Sequence, residues 1–265
     1  MPSDQILPDG RIIRNYPFKK VNFKDHKDKW QEMLFCAAEE ETTDQLTEIF
    51  KEQHYKKGLI KKNMVIVDIG ANIGMSALYF QDYAKMIYAI EPSPFCYHCL
   101  VENTKDFTNI KTFNFGISYH NDKSFLTGGT EDSPPQSLYR EYASKFVTPI
   151  LLKSFEDFIK ENNIEHIDLL KIDCEGAEYE IFLDKSFQRI APKIDYIIGE
   201  AHNLPSLWPE LLPDILKVNG FKVTFMPFKN MTYKIYFTNR FTGEKTNIVH
   251  WQKTIFFAEK IQKKK

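Results

Sequence analysis

The chain has 265 residues, of which 43% are hydrophobic and 14% aromatic, which is enough apolar surface for the packed core of one α/β domain. Its 35 basic and 36 acidic side chains give a formal net charge of −1, which argues against DNA or RNA as the main partner. No continuous apolar run reaches the roughly 18–20 residues that a membrane-spanning helix needs.

The N-terminus and the cysteines indicate the compartment. The opening residues, "MPSDQILPDGR", lack the basic region followed by an apolar region that a secretory signal has. The four cysteines show no disulfide-like spacing, which is typical of a protein in a reducing cytosol. We therefore expect a cytoplasmic protein.

The first 60 residues differ in pattern from the rest of the chain. Prolines at positions 2, 8 and 17 indicate a wrapping arm over the first 30 residues. Between Trp30 and Ile60, apolar side chains such as Leu46, Ile49 and Phe50 recur three to four residues apart, which predicts a helix. We assign residues 1–60 to an N-terminal arm and helix, either a substrate cap or a packing element, and residues 61–265 to the main domain.

Short apolar strands alternate with amphipathic helices from residue 64 onwards. The predicted strands are "MVIVDIG", "KMIYAIEP", "IKTFNFGIS", "IDLLKIDCEG", "IDYIIGEAH" and "FKVTFMPF". Alternation at this spacing predicts right-handed crossovers and a mostly parallel sheet with helices on both faces. Near the C-terminus, "KIYFTNRF" and "KTIFFAEK" predict a hairpin that adds antiparallel strands at the sheet edge. Residues 127–147, with two glycines and two prolines, break the pattern and predict a long irregular loop.

The turn after the first predicted strand, "DIGANIG", points to a ligand. In a sheet of this type, ligands bind beyond the carboxyl ends of the strands. The G-x-x-x-G spacing of Gly70 and Gly74 differs from the G-x-G-x-x-G of a pyrophosphate-binding turn. Asp68 precedes these glycines and would repel phosphate, but it suits a cationic amino-acid head group. Glu91 ends the next strand and is placed to accept hydrogen bonds from ribose hydroxyls, so both features together predict S-adenosyl-L-methionine.

The predicted cofactor site extends to neighbouring strands. At the end of the third strand, Gly116 and Ile117 would let a purine lie against backbone and an apolar side chain. The complete predicted set of cofactor-binding residues is Asp68, Gly70, Asn72, Gly74, Glu91, Gly116, Ile117 and Asp173.

Three segments together carry a family resemblance. "VDIGANIGMSAL", "AIEPSP" and "LLKIDCEGAEYEIF" resemble the FkbM-type family of S-adenosylmethionine-dependent methyltransferases, over about Met64 to His202. The resemblance implies a Rossmann-like class I methyltransferase fold with a seven-stranded sheet, and O-methylation of a natural product or saccharide hydroxyl. It makes 61–265 the methyltransferase domain. Residues 1–60 and the loop 127–147 have no counterpart in it, and we expect them to select the substrate.

The motif "KIDCEGAE" supplies the first catalytic candidates. It places Lys171, Asp173 and Glu175 at the end of a strand that should be central and face the methyl group. Methyl transfer needs an oriented acceptor oxygen and removal of its proton. Asp173 is the first candidate, either as general base or as an orienting carboxylate. Glu178, at the start of the next helix, is explained by the helix dipole alone.

The next strand ends in "IIGEAH", which adds Glu200 and His202 on one side of the chain. His202 is a candidate general base because the unperturbed imidazole pKa lies near neutrality. Asp173, Glu200 and His202 could instead hold a divalent ion or be structural, and the residues leave these alternatives open. The predicted catalytic set is Asp173, His202, Glu200 and Lys171, with a divalent metal possible but no metal ligand assigned.

Other functions are disfavoured by what the sequence lacks. A single C-x-x-C, Cys96 to Cys99, is weak evidence for zinc, and both thiols are expected in the core. The balanced charge disfavours a nucleic-acid acceptor, and the absence of an N-P-P-Y-type element disfavours amino-group methylation of bases, whereas a protein acceptor stays an alternative. The missing G-x-G-x-x-G and the Asp68 carboxylate disfavour the other alternative, a nicotinamide-dependent oxidoreductase. We expect a small-molecule or glycan-type acceptor, with the oligomeric state left open.

Overall fold

The computed structural model describes residues 4–25, 27–36, 60–130, 134, 136–138, 145–202, 211–226, 232–238, 245–251 and 253–261. The strands in these ranges are β1 (Gln5–Ile6), β2 (Ile12–Ile13), β3 (Lys19–Lys24), β4 (Trp30–Phe35), β5 (Met64–Ile69), β6 (Ala84–Ile90), β7 (Ile110–Phe113), β8 (Gly116–Ser118), β9 (Asp122–Leu126), β10 (Thr148–Ser154), β11 (Ile167–Ile172), β12 (Ile194–His202), β13 (Phe221–Met226), β14 (Thr232–Thr238), β15 (Lys245–Trp251) and β16 (Lys253–Lys260). The helices are α1 (Met75–Phe80), α2 (Pro94–Thr104), α3 (Phe155–Glu161), α4 (Glu178–Leu183), α5 (Lys185–Ile190) and α6 (Leu212–Val218).

A seven-stranded sheet forms the centre of the molecule, in the order β13-β16-β12-β11-β5-β6-β7. Neighbouring strands from β12 to β7 are parallel, and β16 runs antiparallel to both of its neighbours, β12 and β13. Two buried apolar clusters lie on the sheet, one including side chains of α3 to α6 and the other side chains of α1, α2 and β4. The predicted Rossmann-like class I methyltransferase fold, with a mostly parallel seven-stranded sheet, is confirmed.

The C-terminal strands pair differently from the prediction. β16 lies between β12 and β13 inside the sheet, and β14 pairs with β15 in a separate two-stranded hairpin. The predicted pairing of "KIYFTNRF" with "KTIFFAEK" is therefore wrong: the first segment contributes to β14, which pairs with β15, and the second forms β16 inside the main sheet. Ile255, Phe256, Phe257 and Ala258 on β16 are all buried, and a continuous apolar run of this kind fits a strand covered on both faces.

The third predicted strand is divided in two. β7 ends at Phe113 and β8 begins at Gly116, where the chain leaves the main sheet and pairs with β10 in a three-stranded sheet. The side-chain amide of Asn114, between the two strands, donates to the carbonyls of Glu91 and Pro92 at 2.9 and 3.1 Å. These hydrogen bonds attach the connection between β7 and β8 to the chain that follows β6. As a result, β8 lies next to the carboxyl edge of the main sheet.

The N-terminal helix prediction is wrong over Trp30–Phe35, which forms β4 and pairs with β3. Met33 and Phe35 are buried with period two, and this alternation supports a strand. The Asn103 side chain on α2 accepts from the Leu34 N–H and donates to the Leu34 carbonyl, which holds β4 against the domain. The rest of the predicted helix, 37–59, lies outside the described residues. Among those described, no helix has the length and apolar content that crossing a membrane requires.

Gly70 allows the ends of β5 and β11 to approach each other. Its φ is +78°, and a Cβ at this position would lie 1.8 Å from the carbonyl oxygen of Asp173. The Asp173 N–H donates to the carbonyl of Ile69 at 3.0 Å, so the two chain segments are in direct backbone contact. The space that the missing side chain leaves is therefore occupied by the backbone of the loop after β11.

We predict that Gly70→Ala destabilises the fold more than Gly10→Ala. Gly10 also has a positive φ, of +85°, but a Cβ there would meet no atom within 4 Å. Both changes incur the left-handed backbone penalty of about 1–2 kcal/mol. Gly70→Ala adds a steric clash that costs about 1–3 kcal/mol more. Urea unfolding of both variants measures the difference, and equal losses of stability would contradict the close contact.

Candidate active site

A cavity opens at the carboxyl ends of β5, β6 and β11, next to β8. Eight of the predicted site residues line it: Gly70, Asn72, Glu91, Gly116, Ile117, Lys171, Asp173 and Glu200. The parallel strands explain this convergence, because their carboxyl ends meet at one edge of the sheet. Asp68, Gly74 and His202 do not contribute to the cavity wall.

A buried ion pair connects Lys171, on the cavity wall, with Asp68, which lies behind it. Lys171 is 3% exposed, and its ammonium group donates to the Gly70 carbonyl at 2.6 Å and lies 3.2 Å from Asp68 Oδ1. Asp68 is fully buried and also accepts a hydrogen bond from the hydroxyl of Ser76. Asp68 itself does not line the cavity; its carboxylate contacts Lys171 and Ser76, which do, and acts on the cavity through them.

Gly74 has a packing role and does not line the cavity. Its φ is +96°, and a Cβ there would lie 2.9 Å from Leu100 and 3.2 Å from Thr104, both on α2. The glycine therefore sets the spacing between the start of α1 and the neighbouring helix.

Glu91 lies on the cavity wall at the end of β6, as predicted. Its carboxylate accepts hydrogen bonds from the N–H groups of Asn72 at 2.9 Å and Ser93 at 2.8 Å. Burial raises the pKa of Glu91 to about 7, although both hydrogen bonds and the Lys171 charge oppose the shift. Glu91 is thus a buried carboxylate that changes its charge near neutral pH.

Glu178 organises the loop after β11, a role that sequence reasoning missed. Its carboxylate is fully buried and accepts from the N–H groups of Cys174 and Gly176, both at 2.9 Å. Glu175, at φ +54°, and Gly176, at φ +112°, form the tight turn that presents these donors. A glutamate two residues after a glycine at a helix start is the sequence signal that was available, because such side chains reach back to free N–H groups.

His202 lies within a group of carboxylates. Its Nδ1 is 2.9 Å from Glu178 Oε1. Its Nε2 is 3.8 Å from one carboxylate oxygen of each of Asp173, Glu175 and Glu200. Burial opposes protonation of the imidazole, but the nearby carboxylates, chiefly Glu178, outweigh it and raise the pKa of His202 to about 10. An imidazolium at neutral pH has no lone pair to accept a proton, so this arrangement argues against His202 as a general base.

The described part of the loop 127–147 closes one side of the cavity. Gln136 and Leu138 line it together with Leu126 at the end of β9. The hydroxyl of Ser137 donates to the Glu175 carbonyl at 2.7 Å, which attaches this loop to the turn after β11. Phe115, Gly116 and Ile117 form the adjacent apolar wall, where we predicted the purine.

The Cys96–Cys99 motif is part of the core, as predicted. Both thiols are buried, and Sγ of Cys96 lies 3.4 Å from Sγ of Cys36. The contact with Cys36 and burial raise the pKa of the Cys96 thiol, which favours a neutral thiol over a metal-binding thiolate.

The central part of the chain is similar to known proteins. The family model described as "Methyltransferase FkbM domain" matches residues 68–223. The chain is 31% identical over 169 residues to methyltransferase sdnD of Sordaria araneosa, covering 51% of this chain and 65% of sdnD. It is 26% identical over 222 residues to the AMB antimetabolite synthetase AmbE of Pseudomonas aeruginosa, covering 67% of this chain and 10% of AmbE. The chain thus spans less than two thirds of the length of either relative.

A solved structure, the METTL16 MTase domain, aligns with 98% of this chain and 87% of its own length. The TM-score is 0.48 and the sequence identity 14%.

We predict that Lys171→Met destabilises the protein by about 3–5 kcal/mol, because it leaves the buried carboxylate of Asp68 without its cation. Adding Asp68→Asn removes the uncompensated charge, so the double variant should recover a large part of this loss. Urea unfolding of both single variants and the double variant completes the cycle. Additive losses would show that the two side chains do not interact.

Proposed function

The chain belongs to the FkbM methyltransferase family, and on this premise we propose that it transfers the methyl group of S-adenosyl-L-methionine to a hydroxyl of a small molecule or saccharide precursor. The observation that carries the proposal is that Glu91 and Asp173 line one cavity at the carboxyl edge of the sheet. Glu91 suits the ribose of the cofactor, and Asp173 suits the acceptor.

The ribose would bind at Glu91. Its two carboxylate oxygens each accept one backbone N–H, from Asn72 and Ser93, and each oxygen retains a lone pair for a ribose hydroxyl. The backbone bonds hold the carboxylate in place before the ligand arrives, which lowers the entropic cost of binding. The purine would then lie against the apolar wall of Phe115 and Ile117.

The charge around the cavity suits a cationic ligand. Asp173, Glu175 and Glu200 line it, and Lys171 is the cationic side chain on the described part of its wall. The sulfonium and ammonium groups of the cofactor would be attracted to this surface. A dinucleotide would bring two phosphates into the same field, which disfavours the nicotinamide-dependent alternative.

Asp173 is the proposed catalytic carboxylate. It follows the central strand β11, its side chain is 27% exposed, and Lys171 Nζ lies 3.9 Å from Oδ2. From this position Asp173 would accept the hydrogen bond of the acceptor hydroxyl and orient its oxygen in line with the methyl group. It would take up the hydroxyl proton as the O–C bond forms and the S–C bond of the cofactor breaks, with S-adenosylhomocysteine as the leaving group. Glu200 would support acceptor binding, whereas Lys171 and His202 hold Asp173 and its loop in place.

The acceptor class rests on the cavity and on the chain's charge. The balanced net charge of −1 and the acidic wall disfavour a nucleic-acid acceptor, whose phosphates would be repelled. We assign 61–265 as the methyltransferase domain, and propose that 1–60 and the loop 127–147 select the acceptor in a cytoplasmic enzyme. A protein acceptor is the alternative that the methylation experiment below tests.

The affinity for S-adenosyl-L-methionine should rise with pH through about 7. The ribose hydroxyls donate to the ionised carboxylate, and protonation of Glu91 below its raised pKa removes an acceptor. The affinity should increase by at most about tenfold per pH unit below pH 7, and it should level off above the pKa of Glu91.

Calorimetric titrations between pH 6 and 8 measure this change. Glu91→Gln should bind more weakly and lose that part of the pH dependence, while titration of the ligand's own amino group is common to both proteins. The same slope in wild type and variant would remove Glu91 from the ribose site.

Transfer of a labelled methyl group tests the proposed reaction. The protein is incubated with methyl-labelled S-adenosyl-L-methionine and, separately, with hydroxylated small molecules and saccharides, with protein, or with RNA. We expect label in the small-molecule or saccharide fraction. Asp173→Asn should lower turnover by about 10²–10⁴-fold, which is the usual effect of losing a general base, and should change cofactor affinity little.

Label in the protein or RNA fraction alone would overturn the proposed acceptor class. Full turnover by Asp173→Asn would contradict the role of Asp173.

A further inference from the structure

Two buried thiols from distant parts of the chain touch each other beside the cavity. Sγ of Cys36, which directly follows β4, lies 3.4 Å from Sγ of Cys96, in the first turn of α2. Both residues are 2% exposed. At this separation no atom can lie between the two sulfurs. The mechanism proposed above uses neither thiol.

Backbone packing sets this contact. The side chain of Asn103, in the last turn of α2, accepts from the Leu34 N–H at 2.7 Å and donates to the Leu34 carbonyl at 2.9 Å. The chain at the end of β4 is therefore attached to one end of α2, and the two thiols meet at the other end. A disulfide bond is about 2.0 Å long, so the two short side chains need to close only about 1.4 Å.

We propose that Cys36 and Cys96 form a site of reversible thiol oxidation, where a small peroxide closes a disulfide between the segment after β4 and the first turn of α2. Cys96 lies on the described wall of the cavity, whereas Cys36 and Cys99 do not. A peroxide can therefore reach Cys96 from solvent through the cavity. Cys36 lies behind it and acts as the resolving thiol.

The reaction balances with hydrogen peroxide as the oxidant. Sγ of Cys96 attacks one peroxide oxygen, so that an S–O bond forms and the O–O bond breaks; the other oxygen leaves as water with the thiol proton. Sγ of Cys36 then attacks the sulfenic sulfur, so that the S–S bond forms and the S–O bond breaks. The second oxygen leaves as water with the Cys36 proton. Two thiols thus lose two electrons, and one peroxide is reduced to two waters.

The surroundings of the two thiols make this reaction slow. The hydrogen bond with Cys36 and burial raise the pKa of the Cys96 thiol. The hydrogen bond with Cys96 lowers the pKa of Cys36, but the hydrogen bond with Cys99 and burial outweigh it and raise the pKa. Because the thiolate is the nucleophile, we expect the disulfide to form under sustained exposure to peroxide.

A bound cofactor would protect the site, and this part of the proposal rests on the proposed function. Cys96 lines the same cavity as Glu91, so an adenosyl ligand there would block the approach of peroxide to the thiol. At a ligand concentration about ten times the Kd, the ligand-free fraction falls to about a tenth, and oxidation should slow about tenfold.

The experiment exposes the reduced full chain to hydrogen peroxide, removes the peroxide with catalase and alkylates the remaining thiols in denaturant. Mass spectrometry of the unreduced peptides then maps the products. We expect a cross-link between Cys36 and Cys96 of the same chain, which dithiothreitol reverses. The bond closes a loop of about 60 residues, so it should raise the midpoint of thermal unfolding by about 5–15 °C.

Cys174→Ala is the matched control. Cys174 also lines the cavity, but it contacts no other thiol among the described residues. Cys174→Ala and Cys99→Ala should form the cross-link like the wild type, whereas Cys36→Ala and Cys96→Ala should not. Circular dichroism checks the fold of each variant, and Cys36→Ala decides the matter if Cys96→Ala does not fold.

No cross-link, a disulfide that includes Cys99, or oxidation confined to Cys174 would overturn the site, as would loss of the cross-link in Cys174→Ala. Calorimetric titration of the same protein with S-adenosylhomocysteine separates the two proposals. Cross-linking without ligand binding supports the site and overturns the proposed function, whereas ligand binding without cross-linking overturns only the site. Bound S-adenosylhomocysteine that does not slow the oxidation overturns the route through the cavity.

Discussion

The Lys171 ammonium group lies where the ends of β5 and β11 meet, between the carboxylate of Asp68 and the carbonyl of Gly70. A buried ammonium is stable only where carboxylates and carbonyls replace its water, and a fully buried Asp68 is stable only beside a cation. This mutual dependence fixes the distance between the two strand ends. Gly70 makes the contact possible, because any side chain there would overlap the backbone of Asp173. The position of Asp173 on the cavity wall follows from these contacts.

Two buried carboxylates of the site have different partners. Burial raises the pKa of Glu91 towards neutrality, although its two N–H donors and the Lys171 charge oppose the shift. Glu178 accepts hydrogen bonds from two N–H groups and lies beside His202, whose pKa it raises. A pocket for a sulfonium needs negative charge to attract the cofactor. Too much negative charge would slow methyl transfer, because the positive charge of the sulfonium disappears in the transition state. The buried Lys171 and His202 side chains lie next to the carboxylates of the wall and moderate their negative charge.

The sequence predicted the features that depend on local pattern, and it failed where distant segments meet. The strand–helix alternation and the motif positions placed Glu91 and Asp173 at one edge of the sheet, because parallel strands leave no other arrangement. It did not predict β4, whose strand pairing with β3 overrode a helical spacing. The buried ion pair of Asp68 was missed because its partner, Lys171, is about a hundred residues away in the sequence. Glu178 was explained by the helix dipole, since its contact with His202 exists only after β12 has packed beside β11.

The central claim is that the cavity binds an adenosyl sulfonium cofactor and not a dinucleotide. Calorimetric titration of the purified protein with S-adenosyl-L-methionine, S-adenosylhomocysteine and NAD in parallel tests it most directly. The account predicts saturable binding of one molecule of either adenosyl ligand per chain, with no heat from NAD. Binding of NAD without binding of the adenosyl ligands would contradict it.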